Sequence, residues 1–80
     1  MSKSKGEQTL ATLPIGCFAT ISSLHDNEHS LKLMEMGCLP GETIQVVGFA
    51  PAGDPMAIAV SGYILSLRLE EAASIIIEKP

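Results

Sequence analysis

Met36-Gly37-Cys38-Leu39-Pro40-Gly41-Glu42 ends one element, makes a turn and starts the next. Gly37 follows an apolar helical pattern and can take the left-handed geometry that closes helices. Leu39-Pro40-Gly41-Glu42 has Pro second and Gly third, the order of a type II turn. There Pro presets one φ and Gly supplies the positive one. An alternating pattern begins at once: Ile44 and Val46 on one face, Thr43 and Gln45 on the other. The stretch therefore predicts helix, tight turn and strand. Its turns are closely specified but carry no chemistry, which favours a binding module over an enzyme.

Downstream, Val47-Gly48-Phe49 interrupts the alternation, and a glycine there predicts a bulge or bend. Ala50-Pro51-Ala52-Gly53-Asp54-Pro55 is a stiff tip. Met56, Ile58 and Val60 alternate on a third strand, and Ser61-Gly62 is a hairpin signal. Tyr63, Leu65 and Leu67 line one face of a fourth strand. Leu69 to Ala73 reads as a helical turn and Ile75-Ile76-Ile77 as the last strand. Upstream, Leu10 to Gly16 is a lead-in, and Cys17 to Leu24 a first strand with Cys17, Ala19 and Ile21 on one face. Asp26-Asn27-Glu28 signals a helix start, giving a helix over about 28–36. Its apolar face, Leu31, Leu33, Met34 and Met36, is read mainly as core, because so short a helix must pack to persist.

The chain has 80 residues, 46% of them apolar and 18% charged. Residues 1–9 read as a flexible tail and 10–80 as one domain. Five short strands with Gly/Pro turns argue for a small mainly β barrel with one inserted helix, closed to hide its edges. The net charge is −4, and Lys3, Lys5, Lys32, Arg68 and Lys79 do not cluster, so a phosphate backbone is a poor partner. No apolar run approaches the ~20 residues of a membrane helix, and Met1 to Gln8 lacks the apolar stretch of a signal peptide. A cytosolic location without membrane insertion is expected. Cys17 and Cys38 read as buried free thiols.

His25-Asp26-Asn27-Glu28-His29 matches H-x-x-E-H literally. Asp26 and Asn27 favour a helix start that leaves His25 outside it, so His25, Glu28 and His29 are weak metal candidates only. Cys17, Cys38, His25 and His29 lack the close pairing of zinc modules. The helix end and the Pro51–Pro55 tip exceed packing needs, and Leu33, Met36, Leu39, Pro51 and Asp54 are the expected docking residues. Arg68, the only arginine, is expected to pair with Glu70 or Glu71. That exposed face is the next docking candidate. No catalytic residue and no cofactor is expected.

Leu33-x-x-Met36-Gly37-x-x-Pro40-Gly41, Ala50-Pro51-x-Gly53-Asp54-Pro55, Gly62-Tyr63, Leu67-Arg68 and Glu71-Ala72 occur in that order. The ordered set resembles the FeoA family over roughly residues 10–79. The resemblance implies an SH3-like β-barrel with an inserted helix. It also implies a role in bacterial ferrous-iron uptake through contact with the cytosolic parts of the transporter FeoB, and a family-level link to transition metals. The same domain occurs fused to metal-dependent repressors of the DtxR kind, so a module that modulates transcription is the alternative. Lys32 stands where the family often has Arg, and Cys38 where it has a plain hydrophobe.

Overall fold

The computed structural model describes residues 8–78. Six antiparallel strands form one sheet in the order β1-β6-β2-β3-β4-β5. They are β1 Gln8–Thr9, β2 Phe18–Leu24, β3 Thr43–Phe49, β4 Met56–Val60, β5 Tyr63–Leu67 and β6 Ile75–Glu78. Helix α1 spans Ser30–Glu35 and α2 spans Leu69–Ala72, with a 3-10 turn at Leu10–Thr12. The count exceeds the expected five strands by β1. Gln8 and Thr9, assigned to the tail by sequence, pair with Ile77 and Ile76. The rest of the expected tail lies outside the described residues.

Inward side chains of β2, β3, β4, β5 and β6 meet in one cluster with Leu10, Leu13, Leu33, Cys38 and Ala72. The sheet thus coils around a single aliphatic core, and among the described residues hydrogen bonds do not close it into a barrel. Alternation explains β2, β3 and β4: Ala19 and Ile21, Ile44 and Val46, and Met56, Ile58 and Val60 are all buried, whereas in β6 the consecutive Ile75, Ile76 and Ile77 are all buried. Cys17 corrects the expectation. It is exposed, whereas Cys38 is buried. Gly16, at φ +90°, turns the chain so that Cys17 precedes β2 at the end of the barrel.

The turns follow their residues. Cys38 N–H donates to Leu33 O at 3.0 Å and Gly37 N–H to Met34 O at 3.0 Å. With Gly37 at φ +103°, this is a Schellman cap. Glu42 N–H donates to Leu39 O at 3.0 Å and Gly41 has φ +95°, as a type II turn requires. The β3–β4 register shifts between Val46 and Gly48, so the predicted bulge leaves Val47 unpaired. A second shift in the β2–β6 ladder lies between Ile21 and Ser23. Ser61 and Gly62, both at positive φ, link β4 to β5.

Helix α1 starts later than expected because Asn27 first makes a turn. Its Oδ1 accepts from His29 N–H at 2.8 Å, and its carbonyl accepts from Ser30 Oγ at 3.0 Å. Asn27 Nδ2 also donates to Ser74 Oγ at 2.9 Å, which fixes the entry to α1 against the loop before β6.

Candidate functional site

Metal chemistry finds little support in the geometry. His29 Nε2 lies 3.9 Å from Glu28 Oε2 and 4.0 Å from Glu70 Oε2. His25 is exposed and held through its backbone N–H to Ser74 O. Among the described residues no group of three His, Cys, Asp or Glu side chains is placed to hold a metal ion. Cys38 is fully buried, and burial pushes its thiol pKa up, away from the thiolate that binds metals. An open groove of about 220 Å³ runs between Phe18, Gln45, Ala59 and Ser61. It is smaller than the roughly 300–1,000 Å³ of ligand pockets.

The expected docking residues divide. Leu33 is fully buried, so it is a core residue and not a contact. The cause is the Schellman turn, which folds the chain back over Leu33 and covers it with Cys38. Met36 is half-buried and packs against the core. Leu39 is 43% exposed, and Pro51 and Asp54 are exposed. Leu39 precedes β3, whereas Pro51 and Asp54 follow it. The seven residues of β3 span roughly 20 Å, so Leu39 and Pro51 lie toward opposite ends of that strand.

Asp54 has a structural task. Its Oδ1 accepts from Leu69 N–H at 3.1 Å, satisfying a free donor at the start of α2. Glu71 completes that end. Its Oε1 accepts from Arg68 N–H and its Oε2 from Lys32 Nζ, both at 2.9 Å. Arg68 therefore makes no ion pair with Glu71: that carboxylate is occupied by Lys32 and by the backbone of Arg68 itself. Glu71 is buried, which removes it from the alternative docking face. The Lys32 hydrogen bond, then the Arg68 N–H, hold its pKa below the usual carboxylate value against desolvation.

The sequence expectation for the helix face also reverses in part. Leu31 is 64% and Met34 38% exposed. They lie one turn apart on one helix face, and Gly37 follows after a further turn. A Cβ at Gly37 would sit 3.8 Å from Tyr63 Oη, and Tyr63 is itself 56% exposed. Leu31 and Met34 thus expose an apolar strip on α1, and Tyr63 is exposed beside its Gly37 cap. Tyr63 alternates with Leu65 and Leu67, which is the sequence signal of a core position, yet its side chain is exposed. Such a strip can bury apolar area against another protein.

The chain matches the FeoA domain family over residues 8–79. It is 45% identical over 47 residues to a Porphyromonas gingivalis protein, a fusion of Fe(2+) transport protein A with the Fe(2+) transporter FeoB. The match takes in 59% of this chain and 6% of that protein, so the chain spans a small fraction of that relative. A FeoA-like protein from Clostridium acetobutylicum has a TM-score of 0.86 and 34% identity, over 99% of this chain and 90% of its own. FeoA from Stenotrophomonas maltophilia, solved with zinc and described as a procaryotic SH3 domain protein, has a TM-score of 0.78 and 26% identity. Coverage there is 89% of both chains. The SH3-like architecture expected from the sequence is thereby established, and with a match across every described residue the chain belongs to the FeoA domain family.

Proposed function

We propose that this chain is an accessory module of bacterial ferrous-iron uptake that binds the cytosolic portion of a FeoB-type transporter. The FeoA family is a transport-related domain and not an enzyme class. The observation that carries the reading is the P. gingivalis fusion, in which a segment similar to this chain is joined covalently to FeoB. A covalent link substitutes for non-covalent association by raising effective concentration. A FeoA domain not so joined would supply that association through a surface. The α1 strip of Leu31 and Met34, with Tyr63 beside the Gly37 cap and Met36 and Leu39 flanking that cap in sequence, offers the apolar centre that interfaces use. Pro51 and Asp54 form the second candidate surface.

Residence in the cytosol follows from that partner. No helix among the described residues is long and apolar enough to cross a membrane. The transcriptional alternative lacks a basic surface: among the described residues Lys32 is held by Glu71, leaving Arg68 by itself. Iron is the cargo of the transporter in this reading, and this chain needs no resident metal.

Calorimetric titration of the full chain into the purified cytosolic domain of the cognate transporter tests the proposal. Saturable binding that persists in chelator is expected. Absence of binding to that domain and to the intact transporter in detergent would refute it.

A further inference from the structure

The sheet has two edges, β1 and β5. β1 is two residues long, whereas β5 presents five, Tyr63–Leu67. Among the described residues β5 pairs with β4 alone. Val60 and Tyr63 face each other across the two-residue loop, so they are the hydrogen-bonded pair that closes the hairpin. By alternation Leu65 and Leu67 also bond β4, and the N–H and C=O groups of Ile64 and Ser66 point away from the sheet. No backbone bond among the described residues occupies them. Natural edges are blunted by Lys, Pro, bulges or a covering segment. Tyr-Ile-Leu-Ser-Leu has neither Lys nor Pro, its register with β4 is unbroken, and Ile64 is 60% exposed.

We propose that β5 pairs antiparallel with β5 of a second copy of this chain, Ile64 opposite Ser66 and Leu65 on the two-fold axis. In this register the free N–H and C=O of Ile64 exchange both bonds with Ser66 of the second copy, and the axis repeats the pair. The same register lays Arg68 opposite Gly62 of the second copy. Next to Gly62 stands Ser61, whose hydroxyl donates to Glu42 Oε1 at 3.2 Å. Arg68 is exposed and enters no ion pair among the described residues. A cation at one end of the strand therefore comes beside a carboxylate at the other, twice per dimer. That complementarity within one edge selects a second copy over an unrelated strand. The strand itself is uncharged, so the net charge of −4 is not concentrated at the contact. An edge of this length buries less than the ~800 Å² per partner of a standard interface, so the dimer is weak.

Amide hydrogen exchange of the full chain at about 10 μM and about 1 mM, beside sedimentation velocity, reads the contact directly. Association should grow with concentration. Exchange at Ile64 and Ser66 should slow at least tenfold while Leu65, already bonded to β4, stays unchanged. Ile64→Lys should abolish both effects. Arg68→Glu should weaken association, and adding Glu42→Arg should restore it. Equal exchange at both concentrations would overturn the proposal and leave the edge for a strand of another protein. A dimer that persists undiminished in Arg68→Glu and in Ile64→Lys would overturn it too.

Discussion

Lys32 Nζ lies 2.9 Å from Glu71 Oε2, and this contact joins α1 to α2 across 39 residues of sequence. Glu71 also closes the start of α2 through Arg68 N–H. The reciprocal half of a capping box is missing because an Arg side chain has no acceptor. Lys32 supplies a single charged donor here, and its side chain is 64% exposed. The stabilisation rests more on the buried carboxylate keeping both partners than on the ion pair itself.

The depressed pKa of Glu71 sets a pH dependence. A carboxylate whose folded pKa lies below its ordinary 4.5 stabilises the fold above that value. The stabilisation is lost as pH falls through the lowered folded pKa. Melting temperature should therefore drop more steeply between about pH 5 and about pH 2 in wild type than in Glu71→Gln. Parallel curves for the two proteins would show that Glu71 does not drive the acid transition.

Asp54→Ala should remove the acceptor for Leu69 N–H and cost about 0.5–2 kcal/mol, as other lost helix caps do. In a domain of this size that is a fall of several degrees in melting temperature. Asp54→Asn keeps an oxygen in place and should recover most of the loss. Equal melting of all three proteins would leave the bond without energetic weight.

Gly41 has open space where a Cβ would stand, so a substitution there meets only backbone strain at φ +95°. Gly41→Val should cost on the order of 1–3 kcal/mol and Gly41→Ala less. Thermal denaturation of the pair separates this from a packing effect. A crowded site would also penalise by volume, and this one should penalise by β-branching.

What the sequence made legible follows from how local each cause is. Gly37 and Gly41, both at positive φ, sit where their neighbours demand a left-handed residue. The Gly48 bulge breaks a visible alternation. β1 was invisible because two residues pairing through backbone leave no side-chain pattern. The contacts of Asn27 with Ser74, Lys32 with Glu71 and Asp54 with Leu69 join positions far apart in sequence, so no local signal announces them. The apolar face of α1 showed which residues avoid water but not which of them the sheet can cover. Leu33 is covered, whereas Leu31 and Met34 are left outside. The docking residues inferred from sequence were scattered for the same reason.

The fold should not depend on metal. Its core is one aliphatic cluster, and His25, Glu28 and His29 make no contact that the core needs. Circular dichroism and melting temperature should be the same with and without chelator, and His25→Ala, at an exposed side chain, should melt within about 0.5 kcal/mol of wild type, as surface substitutions do. A large loss of structure on chelation, the behaviour of metal-dependent domains, would contradict this.

Position along β3 decides how the transporter contact is best mapped. Met36→Asp would place a charge against the core, and Asp54→Lys would break the bond to Leu69, so either change confuses stability with binding. Leu31→Asp and Met34→Asp alter exposed side chains at the α1 end, and Pro51→Ser alters the exposed tip at the other. If docking uses the strip, the first two variants should each weaken association with the transporter's cytosolic domain by about 2 kcal/mol, roughly thirtyfold. Pro51→Ser should bind as wild type does, and all three should keep their melting temperature. Selective loss in Pro51→Ser would move the contact to the tip, where a proline-stiffened loop loses little entropy on binding. Undiminished binding by all three would exclude both surfaces and direct attention to the exposed face around Arg68 and Glu70.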